Sequence, residues 1–423
     1  MHPNALLELT TELIHQVTQF TAPADKVVSE FFRQHRDLGS RERHTLAETT
    51  YAVLRKRLLF QHLAQSGKGE MERRLALLGW QGNDAFLRAA LNEAEQQWLS
   101  KIAQIDVASL PEKLRHNLPE WLADALHEQL GGEFWPLVDS LNQGAALDLR
   151  VNALKAKRDE AQAVLAAAGI ESRLTPHSPW GLRIDGKPAL GKLPLFVDGA
   201  IEVQDEGSQL LALLADARRG EMVVDFCAGA GGKTLALGAA MRNTGRLYAF
   251  DTSGHRLAAM KPRLARSGLS NVHPVQIAHE RDDRIKRLAG KIDRVLVDAP
   301  CSGLGTLRRN PDLKWRQSPQ SVAEMTAKQA AILASAARLV KPGGRLVYAT
   351  CSLLADENEA IAAGFEAHLR EAKGAAFTAL AAEDVLSRAH VQDAAALVRG
   401  PYLRLWPHRH GTDGFFAAVW QRD

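Results

Sequence analysis

The first 135 residues place apolar side chains at helical spacing. In the opening stretch these side chains recur every three or four positions, at Leu6, Leu9, Leu13 and Val17. That period is typical of an amphipathic α-helix with one buried face. Stripes of the same kind follow at residues 27–32, 46–54 and 75–80. Because such helices bury their apolar faces against one another, we predict a helical domain over residues 1–135.

The pattern changes after the glycines at 131 and 132. A short alternating run at residues 147–151 reads as a strand, and an alanine-rich stretch at 158–168 reads as a helix. Gly169 supplies the left-handed residue that commonly ends a helix. Short strand-like pieces separated by glycine and proline complete this region, so we predict a small α/β module over residues 146–205.

From residue 206 to the end, short β-branched runs alternate with helical stretches. This alternation is typical of a doubly wound α/β domain with a mostly parallel sheet. Seven strands are predicted, at residues 222–226, 246–250, 272–277, 292–297, 345–350, 402–406 and 415–420. We therefore predict a complete catalytic domain over residues 206–423.

Composition restricts the number of domains and the cellular location but does not indicate a function. A length of 423 residues favours two or three domains, and 46% hydrophobic and 24% charged residues are globular averages. The net charge of +4 permits an anionic partner without requiring one. The amino terminus lacks a signal-peptide pattern, and no apolar run approaches the roughly 18 residues of a membrane helix. We expect a cytoplasmic protein with no membrane partner.

The three cysteines, Cys227, Cys301 and Cys351, do not form a disulfide framework or a zinc-type CxxC motif. We therefore expect free thiols in a reducing compartment and no bound metal.

A glycine-rich turn follows the first predicted strand of the catalytic domain, at residues 227–234. Such strand-to-helix turns bind nucleotide cofactors, although a merely tight turn is the simpler alternative. Asp251 ends the next strand, about 26 residues after Asp225, at the spacing where a carboxylate accepts hydrogen bonds from ribose. A helix-capping role is the alternative for Asp251. These two features suit either NAD or S-adenosylmethionine.

The thiols separate the two cofactors. Asp298 and Cys301 follow the strand at 292–297, and Cys351 follows the strand at 345–350. Hydride transfer needs no cysteine pair, whereas methylation of a pyrimidine carbon needs a nucleophile. A thiolate that adds to C6 of cytosine makes C5 nucleophilic, and a second thiol can assist release. Asp298 is placed to bind the N3 and N4 edge of the base, and for Cys227 an inert buried thiol is favoured.

Four motifs together carry a family resemblance: CAGAGGKT, DAPCSGLGTLRRNPDLKW, YATCSLLADENE and DGFFAAVW. The chain resembles the NOL1/NOP2/Sun family of RNA (cytosine-5) methyltransferases, and within it the RsmB/Sun type that acts on 16S ribosomal RNA. The resemblance covers roughly residues 149–423. It implies a Rossmann-like class I methyltransferase domain, with the leading helices similar to a NusB-like RNA-binding domain.

The resemblance also implies roles for individual residues. Cys351 matches the nucleophile and Cys301 the thiol that helps product release, with Asp298 near both methyl donor and base. DNA cytosine-5 enzymes attack with their Pro-Cys cysteine, which would make Cys301 the nucleophile, but they lack the accompanying Thr-Cys-Ser. The implied contacts with S-adenosylmethionine are Cys227, Ala228, Gly229, Ala230, Gly231, Gly232, Lys233, Asp251, Asp298 and, for the adenine, Glu280 or Asp282. Gly229 and Ala230 replace the alanine and proline that are usual in the family.

Basic residues beside the reactive loop are the candidates for RNA contact, namely Arg308, Arg309 and Lys314. The alternative is that Trp315 packs the loop and the arginines only face solvent. A second basic group lies at residues 41, 43 and 55–57 and reads either as a phosphate contact or as a solvated helix face. The target cytosine must be unpaired or flipped out of its helix.

The leading hypothesis is a monomeric, S-adenosylmethionine-dependent RNA cytosine-5 methyltransferase that acts on 16S ribosomal RNA. The alternatives are a transfer RNA substrate, a non-catalytic RNA-binding ribosome-assembly factor, and an NAD-dependent oxidoreductase.

Overall fold

The computed structural model describes residues 1–371 and 376–423. Within these residues the chain forms two compact units. The first unit comprises residues 1–144 together with 306–319, and the second comprises residues 145–305 and 320–423.

The first unit is helical. Its first ten helices are α1 (Pro3–Thr18), α2 (Ala24–Gln34), α3 (Ser40–Arg55), α4 (Arg57–Ala64), α5 (Met71–Gly79), α6 (Asp84–Arg88), α7 (Glu93–Ile102), α8 (Glu112–His116), α9 (Glu120–Leu130) and α10 (Phe134–Leu141). Helix α1 starts with proline at its first position, and its buried face carries Leu6, Leu13 and Val17 as the helical period predicts. The similarity of this unit to a NusB-like domain stays a prediction.

The second unit begins with a small antiparallel sheet. Its strands are β1 (Leu147–Val151), β2 (Ser172–Leu174), β3 (Gly181–Ile184) and β4 (Ile201–Val203), in the order β2-β3-β1-β4. Helices α11 (Arg158–Ala167) and α12 (Pro194–Val197) accompany it. Leu149, Leu165 and Leu182 form part of its buried core. These elements lie within the predicted module at 146–205.

A large mixed sheet follows. Its strands are β5 (Met222–Asp225), β6 (Arg246–Asp251), β7 (Val272–Gln276), β8 (Ile292–Asp298), β9 (Val340–Thr350), β10 (Phe377–Leu380), β11 (Val398–Arg399), β12 (Tyr402–Leu405) and β13 (Phe415–Arg422). The order is β11-β12-β13-β9-β8-β5-β6-β7, and β10 pairs with β13 beside this path. Strands β7, β6, β5, β8 and β9 are parallel, so their carboxyl ends share one edge.

Helices pack against this sheet. They are α13 (Glu206–Leu214), α14 (Gly232–Ala240), α15 (Gly254–Ser267), α16 (Asp283–Lys286), α18 (Pro319–Ala337), α19 (Glu359–Glu371), α20 (Ala382–Arg388) and α21 (Pro407–His410), while α17 (Leu313–Arg316) belongs to the first unit. Alternating residues of β8 enter different clusters, with Leu296 in one and Val295 and Val297 in the other. That two-sided burial explains why this strand reads as a continuous apolar run.

The Rossmann-like prediction is confirmed, but the predicted count of seven strands is too low. All seven predicted strands are present, and the described residues add two short strands, β10 and β11. Strand β13 runs antiparallel to β9, β10 and β12, and β11 is antiparallel to β12, so the sheet is mixed. Strand β11 has two residues, which is too short to leave a periodic signal in the sequence.

Within the part of the chain that the structure describes, no helix combines the length and the apolar character needed to cross a bilayer. The predicted cytoplasmic location stays a prediction.

Candidate active site

Two thiols meet at the carboxyl edge of the parallel strands. Strands β8 and β9 are neighbours, with Asp298 opposite Ala349, so the segments that follow them leave the sheet side by side. This pairing brings the Sγ atoms of Cys301 and Cys351 to 3.4 Å. Both cysteines are free and half-buried. The sequence placed each thiol at a strand end, and the sheet order makes them a pair.

The contact between the two sulfurs changes the acidity of Cys301. The hydrogen bond between the two sulfurs, reinforced by burial, holds the pKa of the Cys301 thiol well above its usual range. A protonated Cys301 can donate its S–H to Cys351. The Cys301 thiol is therefore harder to deprotonate than an ordinary cysteine.

Asp298 and Lys233 form an ion pair next to the thiols. The Lys233 Nζ atom lies 2.6 Å from Asp298 Oδ2, and the two side chains are 11% and 29% exposed. Burial lowers the pKa of the Lys233 ammonium, but the Asp298 carboxylate and its hydrogen bond more than offset this, so the pKa is raised. The charge of Cys351 adds to the same increase. Lys233 is therefore a permanent cation that joins the glycine-rich turn to Asp298.

The backbone of Gly305 closes the space between the two cysteine loops. Its N–H donates to the Cys351 carbonyl and its carbonyl accepts from Gly414 N–H, each at 2.8 Å. A Cβ at this position would lie 2.1 Å from the Gly414 oxygen and 2.7 Å from the Cys351 oxygen. Only glycine permits so close an approach, which explains the second glycine of the Gly-Leu-Gly that follows the Pro-Cys-Ser segment.

Several residues that hold the Cys351 loop were missed by the sequence analysis. The Asn358 Nδ2 donates to the Ser352 carbonyl at 3.0 Å, and Thr350 Oγ1 donates to Asn358 Oδ1. The buried Arg404 donates to the carbonyls of Ser352 and Leu353 at 3.2 and 2.7 Å. The repeated Cys-Ser pair was the one sequence feature that could have indicated these residues, because a serine after each cysteine suggests that the two loops are held by common hydrogen bonds.

Two arginine side chains donate hydrogen bonds to backbone carbonyls of the glycine-rich turn. Gly231 has φ +88° and immediately precedes α14, and Gly229 has φ +56°. The Arg263 guanidinium donates to the Ala230 carbonyl, and Arg150 donates to the Gly232 carbonyl, each at 2.7 Å. These contacts fix the turn even though it lacks the proline usual in the family.

Asp251 is bound to the same turn. Its Oδ2 accepts from Gly229 N–H at 2.8 Å, and its Oδ1 accepts from Ser253 N–H at 2.7 Å. Ser253, rather than Asp251, is the N-cap of α15. The helix-capping alternative is therefore not the arrangement found, and each carboxylate oxygen retains a further lone pair.

Asp225 and Ala228 are buried at the start of the turn, and Cys227 between them is half-buried. Ala228 donates its backbone N–H to the Phe250 carbonyl at 2.8 Å. Burial holds the pKa of the Cys227 thiol well above its usual range, which suits an inert thiol. Burial also raises the pKa of Asp225 to about 7, although a hydrogen bond from Thr234 opposes the increase.

The two candidates for the adenine contact differ in their bonding. Asp282 is the N-cap of α16, and its carboxylate accepts from the N–H groups of Ala278 and Arg284, each at 2.9 Å. Glu280 forms a 3.7 Å ion pair with Arg281, and its carbonyl accepts from Ser335. Glu280 is thus the candidate without a helix-capping role.

The candidate RNA-binding residues lie in the first unit, and one of them is buried. Lys314 is 2% exposed, and its ammonium donates to the Arg55 carbonyl at the end of α3 at 2.7 Å. The neighbouring Trp315 donates to the Leu54 carbonyl at 2.8 Å. Burial holds the pKa of Lys314 well below its usual range. Lys314 therefore caps a helix in this structure instead of presenting its charge to a phosphate.

The other basic candidates are also involved in packing. The Arg55 guanidinium donates to the Arg308 carbonyl at 3.1 Å, and Arg308 donates to the Gly144 carbonyl at 3.3 Å. Arg57 lies over the ring of Trp315, 5.3 Å from its centroid. Arg309 is half-buried, and its backbone N–H donates to Thr306. Trp315 thus packs against the end of α3, but the arginines of this segment do not only face solvent, and the RNA contact stays a prediction.

Two family profiles match the chain. The profile described as 16S rRNA methyltransferase RsmB/F matches residues 212–421, and the RsmF/B-like ferredoxin-like domain matches residues 118–190. A probable ribosomal RNA small subunit methyltransferase B of Synechocystis is 36% identical over 306 residues, which cover 72% of this chain and 66% of that protein. The chain thus spans just under two thirds of that relative. A probable ribosomal RNA small subunit methyltransferase B of Bacillus subtilis is 31% identical over 80% of this chain and 74% of that protein.

Solved structures agree on the architecture. The crystal structure of PH0851 has a TM-score of 0.79 and 28% identity, and the match covers 99% of both chains. NSun6 from Pyrococcus horikoshii, solved with the ligand SFG, has a TM-score of 0.61 and 21% identity over 72% of this chain and 98% of that one, and it supports the fold alone.

Fold and site together define a Rossmann-like methyltransferase domain. The chain belongs to the NOL1/NOP2/Sun family of RNA cytosine-5 methyltransferases, and within it to the 16S rRNA methyltransferase RsmB/F group. The family resemblance found in the sequence motifs is thereby confirmed.

Proposed function

We propose that this protein transfers a methyl group from S-adenosylmethionine to C5 of a cytosine in RNA, with 16S ribosomal RNA as the substrate. The observation that carries the proposal is the 3.4 Å pair of thiols at the carboxyl ends of β8 and β9. A hydride-transferring enzyme has no use for such a pair. Covalent catalysis at a pyrimidine uses both thiols, one to add and one to assist elimination.

The residues around the turn fit the methyl donor. The left-handed Gly231 lets the backbone approach a ligand closely, and the first N–H groups of α14 have no acceptor within the helix. Asp251 is oriented by two backbone hydrogen bonds and retains lone pairs for ribose hydroxyls. When bound, S-adenosylmethionine supplies an electrophilic methyl group. Asp251 and the turn at 227–233 would hold it, with Asp298 beside them.

The two thiols and Asp298 have separate roles in the reaction. Cys351 adds as a thiolate to C6 of the cytosine, forming an S–C bond that makes C5 nucleophilic. Asp298 accepts a hydrogen bond from the N4 amine of the base while Lys233 holds its other oxygen. After methyl transfer, a base removes the C5 proton and the S–C bond breaks, which returns the thiolate of Cys351. Cys301 assists this release.

The names of the relatives favour a ribosomal substrate. Several relatives are described as ribosomal RNA small subunit methyltransferases. Addition of a thiolate to C6 requires access to the face of the ring, so the substrate cytosine must be unpaired or flipped from its helix. The basic segment 308–316 is our candidate for RNA contact through Arg308 and Arg309.

Trapping of the covalent adduct tests the proposal. Cys301→Ala should accumulate a denaturation-resistant complex with a 16S ribosomal RNA transcript in the presence of S-adenosylmethionine, because the release step is impaired. Cys351→Ala should form none. The double variant controls for adducts that involve any other group and should also form none.

Two results would contradict the proposal. Adducts with Cys351→Ala but not with Cys301→Ala would exchange the roles of the thiols. Absence of methyl transfer by the wild-type protein to ribosomal or transfer RNA would rule out the enzymatic function and leave a non-catalytic RNA-binding protein.

A further inference from the structure

A buried carboxylate lies beneath the two thiols. Each cysteine is followed by a serine, and the hydroxyl oxygens of Ser302 and Ser352 are 3.3 Å apart. Both serines are buried, at 1% and 0% exposure. Glu357, also 0% exposed, follows Cys351 by six residues and points to this serine pair.

Glu357 accepts hydrogen bonds from both cysteine loops. Its Oε1 accepts from Ser302 N–H at 2.7 Å and from Gln329 Nε2 at 3.0 Å. Its Oε2 accepts from Ser302 Oγ at 2.5 Å and from Ser352 Oγ. Gln329 also donates to the Pro300 carbonyl at 2.9 Å, so it adds a second tie to the Cys301 loop. One side chain thereby connects the residues adjacent to both thiols.

The cost of burying a carboxylate makes the two cysteine loops resist separation. A carboxylate taken out of water is costly unless hydrogen bonds replace its hydration. Here the replacing donors come from the two cysteine loops and from α18. Any movement of one loop away from the other leaves the buried carboxylate with fewer hydrogen-bond donors, which is unfavourable. The anchor therefore resists separation of the loops.

We propose that Glu357 is a positioning residue that sets the distance and orientation of Cys351 relative to Cys301. The inference rests on the proposed function, since the relative placement of the thiols matters only if both act on the same base. Glu357 is 0% exposed and acts through the serines, so it does not touch the substrate itself.

Conservative and non-conservative substitutions separate positioning from bulk stability. In Glu357→Gln the amide oxygen can occupy the Oε1 position and accept from Ser302 and Gln329. Its NH2 group can donate to the two serine hydroxyls, which accept as well as donate. Glu357→Ala removes every one of these acceptors. Glutamine should therefore restore most of the geometry, and alanine should not.

The direct readout is a cross-link that needs neither RNA nor methyl donor. Dibromobimane fluoresces when it bridges two nearby thiols, and peptide mapping assigns the bridge to Cys301 and Cys351. We expect wild type and Glu357→Gln to bridge at similar rates and Glu357→Ala to bridge about tenfold more slowly, because a site loosened by about 1 Å loses its geometry. With RNA, kcat of Glu357→Ala should fall about 100-fold while KM stays near the wild-type value.

A matched control removes a partly buried carboxylate far from the thiols. Glu221 precedes β5 and pairs with Arg294 at 3.0 Å, at the opposite end of the strands. Glu221→Ala should lower the thermal midpoint but leave thiol bridging at the wild-type rate. If Glu357→Ala does not fold, the double variant Ser302→Ala with Ser352→Ala tests the same link and should bridge severalfold more slowly than wild type.

Unchanged bridging in folded Glu357→Ala, or in the double serine variant, would overturn the positioning role. Failure of Glu357→Gln to restore bridging would overturn it as well. Because bridging is measured without methyl transfer, an inactive wild-type protein would contradict the proposed function and leave the bridging result standing.

Discussion

Replacement of Gly231 by alanine should disrupt the cofactor turn in two ways. Gly231 has φ +88°, a conformation that costs a residue with a Cβ about 1–2 kcal/mol. The added Cβ would also lie 2.5 Å from Cγ of Met260, a side chain that is fully buried. Relief of that overlap requires movement of α15 or of the turn and costs about 1–3 kcal/mol.

Other glycines with positive φ allow the backbone cost to be separated from the cost of the steric overlap. Gly229 has φ +56° in the same turn, and Gly290 has φ +68° before β8, and an added Cβ at either position meets no atom within 4 Å. Alanine at Gly290 should show the backbone cost alone. The difference between the Gly231 and Gly290 variants should therefore be about 1–3 kcal/mol, the cost of the steric overlap.

Thermal unfolding and calorimetric titration with S-adenosylmethionine measure the two consequences. Gly231→Ala should unfold at a lower temperature than Gly290→Ala and bind the cofactor at least about tenfold more weakly, which corresponds to about 1.4 kcal/mol. Gly290→Ala should bind like the wild type. Equal stability of the two variants together with unchanged binding by Gly231→Ala would refute the account of the turn.

Three further predictions concern charged groups. Because the folded-state pKa of Asp225 is about 7, above its unfolded value of 3.8, its burial lowers stability as pH rises from about 4 to 7. Asp225→Asn should therefore gain stability relative to wild type over that window, by on the order of 4 kcal/mol in denaturation curves. Lys314→Met should leave the salt dependence of RNA affinity unchanged, whereas a slope reduced by about one would mean a phosphate contact. Lys233→Met should lower kcat for methyl transfer, because Asp298 loses its partner, and an unchanged kcat would contradict that role.

The central strands could be predicted from the sequence because a strand that is buried on both faces is a continuous apolar run. The runs at 222–226 and 292–297 are short, apolar and β-branched, and both became central strands of the sheet. Strand β11 was not predicted because it has two residues, and β10 was not predicted because none of its four residues is buried. Their pairing depends on β13 and β12, which are distant in sequence.

In the candidate site, too, contacts between residues distant in sequence could not be predicted from the local pattern. The positions of Cys301 and Cys351 at strand ends follow from the sequence, but their contact follows from the adjacency of β8 and β9. Lys314 reads as a phosphate contact from its charge, yet tertiary packing buries it against the end of α3. Glu357 lies within the YATCSLLADENE motif, but only the fold brings it between two serines fifty residues apart.

Mapping of 5-methylcytosine tests the central claim most directly. Purified protein, S-adenosylmethionine and a 16S ribosomal RNA transcript should yield 5-methylcytosine at a defined unpaired or flippable position, identified by mass spectrometry of RNA fragments. Cys351→Ala should yield none at that position. A methyl group on any atom other than C5 of cytosine, or equal methylation by Cys351→Ala, would contradict covalent catalysis by this thiol.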